Sequence, residues 1–347
     1  MINNLLLEDL NEILNCGCDF SIFKNKVFLI TGSTGLIGSL YIKSLLYISK
    51  KLDLNINVIA LARSEEKFKD IFNEFLDEKN LKVYYQDIKD NMNIEEHVDY
   101  ILHTASITNS KMMIEYPVEV IDIAVLGTKN VLELAKKNKS KVIYVSSMEV
   151  YGKLDNLERK VVESDLGYID VTNIRSCYCI AKRACESMCV SYAYEYNIDV
   201  IIARLAQTFG VGVSKEDNRV FAQFAKSVIK KGNIILHTEG KSEGNYCYTT
   251  DAMSAFFYLF WKGKKAEIYN VNNEESHTTI YNMAKLVIDN FSKNEVIIDI
   301  PKDNIYGYAQ DVKIHLSSKK LRNLGWNSKV SLLESYKKLI KFYRSIN

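Results

Sequence analysis

The chain has 347 residues, of which 47% are hydrophobic and 25% charged, and a formal net charge of +2. That length supports one large domain or two intimate ones around a sizeable core, and the near-neutral balance gives no reason to expect nucleic acid or an anionic membrane as partner. No stretch reaches the roughly 18 apolar residues of a membrane span, no basic start leads into a long apolar run as in a signal peptide, and seven cysteines without paired metal-type spacing fit reduced thiols in the cytoplasm.

Residues 1–25 read as an extra helix laid on a sheet. The run Val27–Ile30 then predicts a first strand, followed at once by Gly32, Gly35 and Gly38 and a helix-spaced apolar pattern. Glycines at this point let the chain turn sharply after a strand and bring backbone N–H groups against a pyrophosphate, with the helix dipole favouring the anion. The turn residues Ser33, Thr34, Leu36 and Ile37 belong to the same cradle. A glycine-rich turn without a ligand is the plainer reading, but the position, at the first strand of a strand–helix series, favours the nucleotide one.

The second strand, Val58–Leu61, runs into Ala62-Arg63-Ser64, where an acidic residue would receive a ribose 2′-hydroxyl. Arg63 and Ser64 offer a 2′-phosphate site instead, so the cofactor is NAD or NADP, with a slight lean to NADP; Arg63 also reads as an ordinary solvated residue. The third strand, Val83–Tyr85, leads to Asp87 and Ile88. Asp87 suits an adenine hydrogen bond or a helix N-cap, and the two are compatible.

Further strands are expected at Tyr100–Leu102, Val142–Val145 and Val200–Ala203, with amphipathic helices at Val118–Lys136 and Tyr178–Tyr196. Short apolar runs alternating with helices predict a doubly wound α/β fold of the Rossmann type. Tyr178 and Lys182 are spaced i, i+4, which puts phenol and ammonium on one helix face. A cation there is expected to lower the tyrosine pKa and make Tyr178 a base for a hydroxyl proton. Directly after the fifth strand, Ser147 is placed to hydrogen-bond the reacting hydroxyl, and Glu149 adds a second ionisable group. Taken singly, these residues also read as a turn and a surface pair. After Arg204 the alternation loosens, with loops near 210–219 and 237–250 and a last helix at about 331–344. The division expected is an N-terminal extension (1–25), a dinucleotide domain (26–203) and a smaller α/β lobe that mainly binds substrate (204–347).

In that order and at those intervals, the glycine turn, the Ser147 segment and Tyr178-Lys182 resemble the extended short-chain dehydrogenase/reductases of the NAD-dependent epimerase/dehydratase family, which act on nucleotide sugars. The resemblance runs from about residue 26 to the C-terminus. It takes in HTAS at 103–106, VLGTKNVLELA at 125–135, ARLAQTFG at 203–210, NRVFAQF at 218–224, YCYTTDA at 246–252, YNVNNEE at 269–275 and KKLRNLGW at 319–326. It implies that Thr104, Ala105 and Ser106 lie beside the nicotinamide ribose, that Lys182 also holds that ribose, and that Ser147, Met148, Glu149, Arg175, Gln207 and Arg219 contact a nucleotide-diphosphate sugar. It also implies a homodimer through a four-helix bundle.

RSCY at 175–178 is most similar to the UDP-glucuronate decarboxylase branch, yet Met148 stands where dehydratases carry an aspartate and decarboxylases a hydroxyl residue. Gly244 occupies the place of a frequent diphosphate-binding arginine, and Ala124 that of a frequent asparagine. Methionine cannot protonate a leaving hydroxyl. The reading that results is oxidation at sugar C4 to a transient ketone, with epimerisation ranked before 4,6-dehydration and decarboxylation, and a non-catalytic dinucleotide-binding protein as the alternative of another class. A stoichiometric NADPH reductase is the third reading. No metal site is expected: His103 and His237 stand apart from any ligand cluster.

Overall fold

A computed structural model describes residues 4–154, 158–301 and 312–346. It begins with α1 (Asn4–Leu14) and reaches the first strand, β1 (Val27–Thr31), through a short 3₁₀ turn. There follow α2 (Leu36–Leu52), β2 (Asn57–Ala62), α3 (Glu65–Phe72), β3 (Leu81–Tyr85), β4 (Tyr100–His103), α4 (Ser110–Glu115), α5 (Pro117–Asn138), β5 (Lys141–Ser147), α6 (Cys177–Glu195) and β6 (Asp199–Leu205). The second half adds β7 (Gln207–Phe209), α7 (Val220–Ile229), β8 (Ile234–Leu236), β9 (Glu243–Gly244), β10 (Tyr246–Tyr248) and α8 (Thr249–Lys262). It ends with β11 (Ile268–Val271), β12 (Thr278–Thr279), α9 (Ile280–Phe291), β13 (Val296–Ile298), α10 (Lys319–Arg322) and α11 (Leu332–Ser345).

Seven parallel strands form one sheet in the order β11-β6-β5-β4-β1-β2-β3. The central strands are apolar on both faces because helices cover both. On one side, α1, α2 and α8 bury an aromatic cluster in which Phe28 stacks on Tyr100 and Tyr41 on Phe257, each at 4.7 Å between centroids. On the other, α5 and α6 pack Ile123, Val131, Leu132, Cys185 and Cys189 against Leu29, Val142 and Ile202. Full burial of each such side chain contributes roughly 1.5–3 kcal/mol. The cysteines of α6 are packing residues, with Cys185 and Cys189 fully enclosed.

Three features differ from the sequence reading. The N-terminal helix lies on α2 and α8, not on the sheet itself. The sheet takes its seventh strand, β11, from beyond residue 203, where the chain was expected to divide. The reason is packing: α8, in the same half, is buried along nearly its whole length beneath the sheet. The expected loop at 237–250 contains β9 and β10. A separate core of Phe209, Phe221, Phe224, Tyr336 and Leu339 holds α7, α9 and α11 together over the C-terminal ends of the strands.

Candidate active site

The order of β1 between β2 and β4 marks the point where the strand succession reverses, and a crevice opens there at the carboxyl ends of the strands. A cavity of about 430 Å³ follows that crevice.

Its floor is the glycine turn. Gly32 has φ +64, and a Cβ there would lie 2.7 Å from Thr104 Oγ1 and 2.8 Å from the Ala105 nitrogen. A Cβ on Gly38 would sit 2.4 Å from the Gly32 carbonyl oxygen. Only glycine lets the turn and the first coil of α2 approach this closely. Gly35, the N-cap of α2, contributes no side-chain cap, so the first amides of the helix are left for a ligand. Thr31 Oγ1 accepts from the backbone nitrogens of Thr104 (3.2 Å) and Ala105 (3.3 Å), so its proton goes to His103 Nδ1 at 2.7 Å. That fixes the single imidazole proton on Nε2, which meets Thr128 Oγ1 at 3.1 Å. Burial pushes His103 down to about 3, so it stays neutral and serves as a spacer between β1, β4 and α5.

At the far end, β5 delivers Ser147 and α6 delivers Tyr178 and Lys182. The Ser147 hydroxyl accepts from the Glu149 nitrogen at 3.2 Å and shares the cavity wall with the Tyr178 phenol. Lys182 Nζ donates to the Val145 carbonyl at 2.8 Å and lies 4.8 Å from the Tyr144 ring centre and 5.8 Å from that of Tyr178. The expected lowering of the tyrosine pKa by Lys182 is corrected here. Burial, reinforced by Glu149, raises the phenol well above its ordinary value, and the groups that oppose this are Ser147, Arg175 and Arg219. Lys182 itself is buried and pushed down to about 8.

Arg175 Nη2 reaches Glu149 Oε2 at 3.2 Å. Arg219 is aimed by Asp217 (2.6 Å) and by the Phe221 ring, 4.7 Å below its guanidinium. Met148 is buried, and its Cε lies 3.6 Å from where a Cβ on Gly244 would stand, so the two residues face each other. Behind this end, the fully buried Arg204 pairs with Glu186 (2.7 Å), which accepts from Ser146 at 2.6 Å.

Most residues expected at the site line this one cavity: Gly32, Thr34, Gly35, Leu36, Ile37, Arg63, Ile88, Thr104, Ala105, Ser106, Ser147, Met148, Glu149, Arg175, Tyr178, Lys182, Gln207 and Arg219. Ser33, Gly38, Ser64 and Asp87 are not on its wall. Ser33 donates to the Leu61 carbonyl at 2.7 Å. Ser64 caps α3 by accepting from Lys67. Asp87 accepts from the Lys89 nitrogen in a turn, not at a helix start. The wall adds Lys67, Gln86 and Thr208, which the sequence reading passed over. Lys67 follows Ser64 by one helical turn, a signal available from the cap alone. Among the charged groups on the wall, Arg63, Lys67, Arg175, Lys182 and Arg219 face a single carboxylate, Glu149.

The residues fit a dinucleotide: the cradle that a Cβ would fill is open, the N-terminus of α2 has no side-chain cap, and the charged side chains on the wall other than Glu149 are cations. Among the described residues no group of three or more His, Cys, Asp or Glu is arranged to hold a metal ion, and no helix is long and apolar enough to cross a membrane.

Comparison with known proteins gives one family. The profile of the NAD dependent epimerase/dehydratase family matches residues 28–272. Over 325 residues the chain is 27% identical to UDP-glucuronic acid decarboxylase 4 of Arabidopsis thaliana, covering 92% of this chain and 70% of that protein. Over 331 residues it is 28% identical to the human dTDP-D-glucose 4,6-dehydratase, covering 92% and 90%. The UDP-glucuronic acid 4-epimerase of Bacillus cereus, solved with UDP-glucuronic acid and NAD, has the same fold, with a TM-score of 0.75 at 18% identity over 92% of this chain and all of that one.

Proposed function

Because the chain belongs to the NAD dependent epimerase/dehydratase family, an enzyme family of the extended short-chain dehydrogenase/reductase type, we propose that it oxidises C4 of a nucleotide-diphosphate sugar to a transient ketone and acts as an epimerase. The observation that carries this reading is the Tyr178 phenol, sharing one cavity with Ser147, Lys182 and the glycine turn. Bound there, a nicotinamide dinucleotide supplies the hydride acceptor. Tyr178, having first given its own proton to solvent, takes the proton from the C4 hydroxyl as a phenolate, and Ser147 holds that oxygen in line. Lys182, fixed to the Val145 carbonyl, keeps the tyrosine ring in place and faces the cofactor ribose. Arg219 and Arg175 receive the diphosphate and nucleotide of the substrate.

Once C4 is a ketone, the products diverge according to which further groups the enzyme supplies. A 4-epimer needs only that the ketone turn its other face to the cofactor. Dehydration needs an acid beside C6, and Met148 has no proton to give. Glu149, the sole carboxylate on the wall, is engaged by Arg175. Epimerisation therefore asks the least of these residues. Incubation with UDP-, dTDP-, CDP- and GDP-sugars, read by mass spectrometry, tests the ranking. An isobaric product supports it; loss of water or of carbon dioxide from the sugar overturns it in favour of the dehydratase or the decarboxylase.

We also propose a homodimer and a cytoplasmic setting. Val118, Ile121 and Leu126 on α5 and Val190 and Tyr194 on α6 are exposed, Tyr194 to 92%, and form an apolar face suited to the same face of a second copy. Tyr192 is excepted, since its hydroxyl is tied to Glu133 at 2.6 Å. All seven cysteines are free thiols, as a reducing compartment permits. Light scattering of wild type and Leu126→Glu tests the dimer: a monomeric wild type would refute it.

A further inference from the structure

Resting on the reaction proposed above, we infer that Glu186 is a positioning residue: acting through Ser146, it fixes the end of β5, and with it the carbonyl that holds Lys182 and the serine beside the reacting oxygen. α6 grips β5 at two consecutive residues. Lys182 Nζ donates to the Val145 carbonyl at 2.8 Å, and one helical turn on, Glu186 Oε1 accepts from the Ser146 hydroxyl at 2.6 Å. Ser147, the next residue of β5, is on the cavity wall with Lys182 and Tyr178, whereas Glu186 is not. Glu186 therefore acts on the site only through what it holds.

The carboxylate is itself held from behind. Arg204 lies opposite Ser146 in the β5–β6 register and donates through Nε (3.0 Å) and Nη2 (2.7 Å) to the two oxygens of Glu186. Its other arm, Nη1, donates to the Glu163 carbonyl at 2.8 Å, and its guanidinium lies 4.8 Å from the Tyr151 ring centre. Ser146, Glu186 and Arg204 are all buried, and around them on α6 Ala181, Cys185, Cys189 and Ala193 are packing residues. A buried ion pair stabilises a fold little more than apolar side chains of the same volume. Stability alone therefore gives no reason for a carboxylate here, whereas a fixed point for the end of β5 does. Its charge acts as well. The neighbours of the Lys182 ammonium are His103 from β4, Tyr144 from β5, and Tyr178, Cys185, Glu186 and Cys189 from α6; β6 brings Arg204, which faces Glu186. Burial pushes Lys182 down to about 8, opposed by Cys185, Glu186 and Cys189, of which Glu186 is the one carboxylate.

The test uses two variants of the whole chain. Ser146→Ala removes the tie to β5 and leaves the Glu186–Arg204 pair whole. At saturating cofactor and nucleotide sugar its kcat should fall about tenfold, with the sugar KM within about twofold of wild type. Glu186→Gln keeps the shape of the side chain and removes its charge. The titration of Lys182, followed by NMR of the chain carrying isotope-labelled lysine and assigned by its loss in Lys182→Arg, should then move from about 8 to lower pH by about one unit. Loss of packing alone would not produce that displacement. Full kcat in Ser146→Ala, or a Lys182 midpoint unmoved in Glu186→Gln, overturns the inference, as does a lower melting temperature as the sole change in both variants. Should Glu186→Gln fail to fold, Ser146→Ala decides by itself. If the wild type turns over no nucleotide sugar, the reaction reading fails and the Lys182 titration still decides whether Glu186 governs the ammonium. If the wild type is active and neither variant responds, this inference alone falls.

Discussion

The two ends of the cavity are built by different means. At the end proposed for the dinucleotide the wall is mostly backbone, held by glycines whose missing Cβ atoms leave no room for substitution, and by Thr31 and a neutral His103. At the end proposed for the sugar the wall is made of side chains drawn from β5, the segment before α6, α6 itself, the strand after β6 and the start of α7: Ser147, Arg175, Tyr178, Gln207 and Arg219. A backbone-built site tolerates almost no variation and binds one chemical class. A side-chain-built site can be retuned one residue at a time, and here Met148 and Gly244 meet, with Met148 Cε 3.6 Å from where a Cβ on Gly244 would stand.

The sharpest way to separate the two ends is Tyr178→Phe. Turnover should fall by a factor on the order of 10²–10⁴, while dinucleotide affinity and the unfolding midpoint stay at wild-type values. A variant that turned over normally would remove Tyr178 as the base. Next in size is Glu186→Ala, behind the sugar end. It leaves Arg204, 2% exposed, without its carboxylate and releases the Ser146 hydroxyl. Breaking a buried pair from one side costs about 3–5 kcal/mol, to be read as a shift of the urea midpoint. Unchanged stability would mean that Arg204 finds water or another partner.

At the opposite end, Gly38→Ala forces a methyl to 2.4 Å from the Gly32 carbonyl oxygen. Overpacking of this kind costs about 1–3 kcal/mol. Dinucleotide affinity should drop with stability, since the displaced atoms are those that line the cradle, and kcat at saturating cofactor should change least. Wild-type affinity in this variant would contradict the backbone view of that end.

The same contrast explains what could be read from the sequence. The strand–helix alternation, the glycine turn and the Tyr178-Lys182 spacing are local patterns, and each corresponds to an element or a cavity wall in the structure. What stayed hidden depends on contacts between distant segments. β11 is a four-residue run in a half that reads as irregular, and it becomes a strand because β6 offers an edge. The buried Arg204–Glu186 pair links residues 18 apart in sequence through the tertiary fold. The balance of charges around Tyr178 is likewise a sum over Glu149, Arg175 and Arg219, which no spacing along α6 encodes. Asp87 was read as an adenine partner or a helix N-cap on position alone, and it accepts from the Lys89 nitrogen in a local turn.

The smallest effect concerns how the C-terminal segments are fastened. Where the dinucleotide half relies on backbone and apolar packing, α1, α8 and α11 are joined by buried carboxylates. Asp9 accepts from Tyr248 (2.8 Å) and Lys338 (2.9 Å), and Asp251 accepts from the backbone nitrogens of Lys329 (2.9 Å) and Val330 (3.1 Å). Burial raises each to about 6 from 3.8. A carboxyl whose folded pKa lies above its unfolded one stabilises the fold when protonated, so this contribution is fully present below pH 3.8 and is lost as pH rises through about 6. Opposing it, Asp165, held down by its hydrogen bond to Arg159, and Glu274, held down by Lys160 despite burial, contribute stability that is lost as pH falls. The two trends place the stability maximum on the mildly acidic side of neutrality. The melting temperature should therefore rise by roughly 2–4 °C between pH 7.5 and 5.5 and fall again below pH 4. Asp251→Asn should flatten the upper limb, because an amide cannot take up the proton whose binding drives it. A melting temperature that climbed steadily from pH 5.5 to 7.5 would show that the lobe is not fastened through these carboxylates.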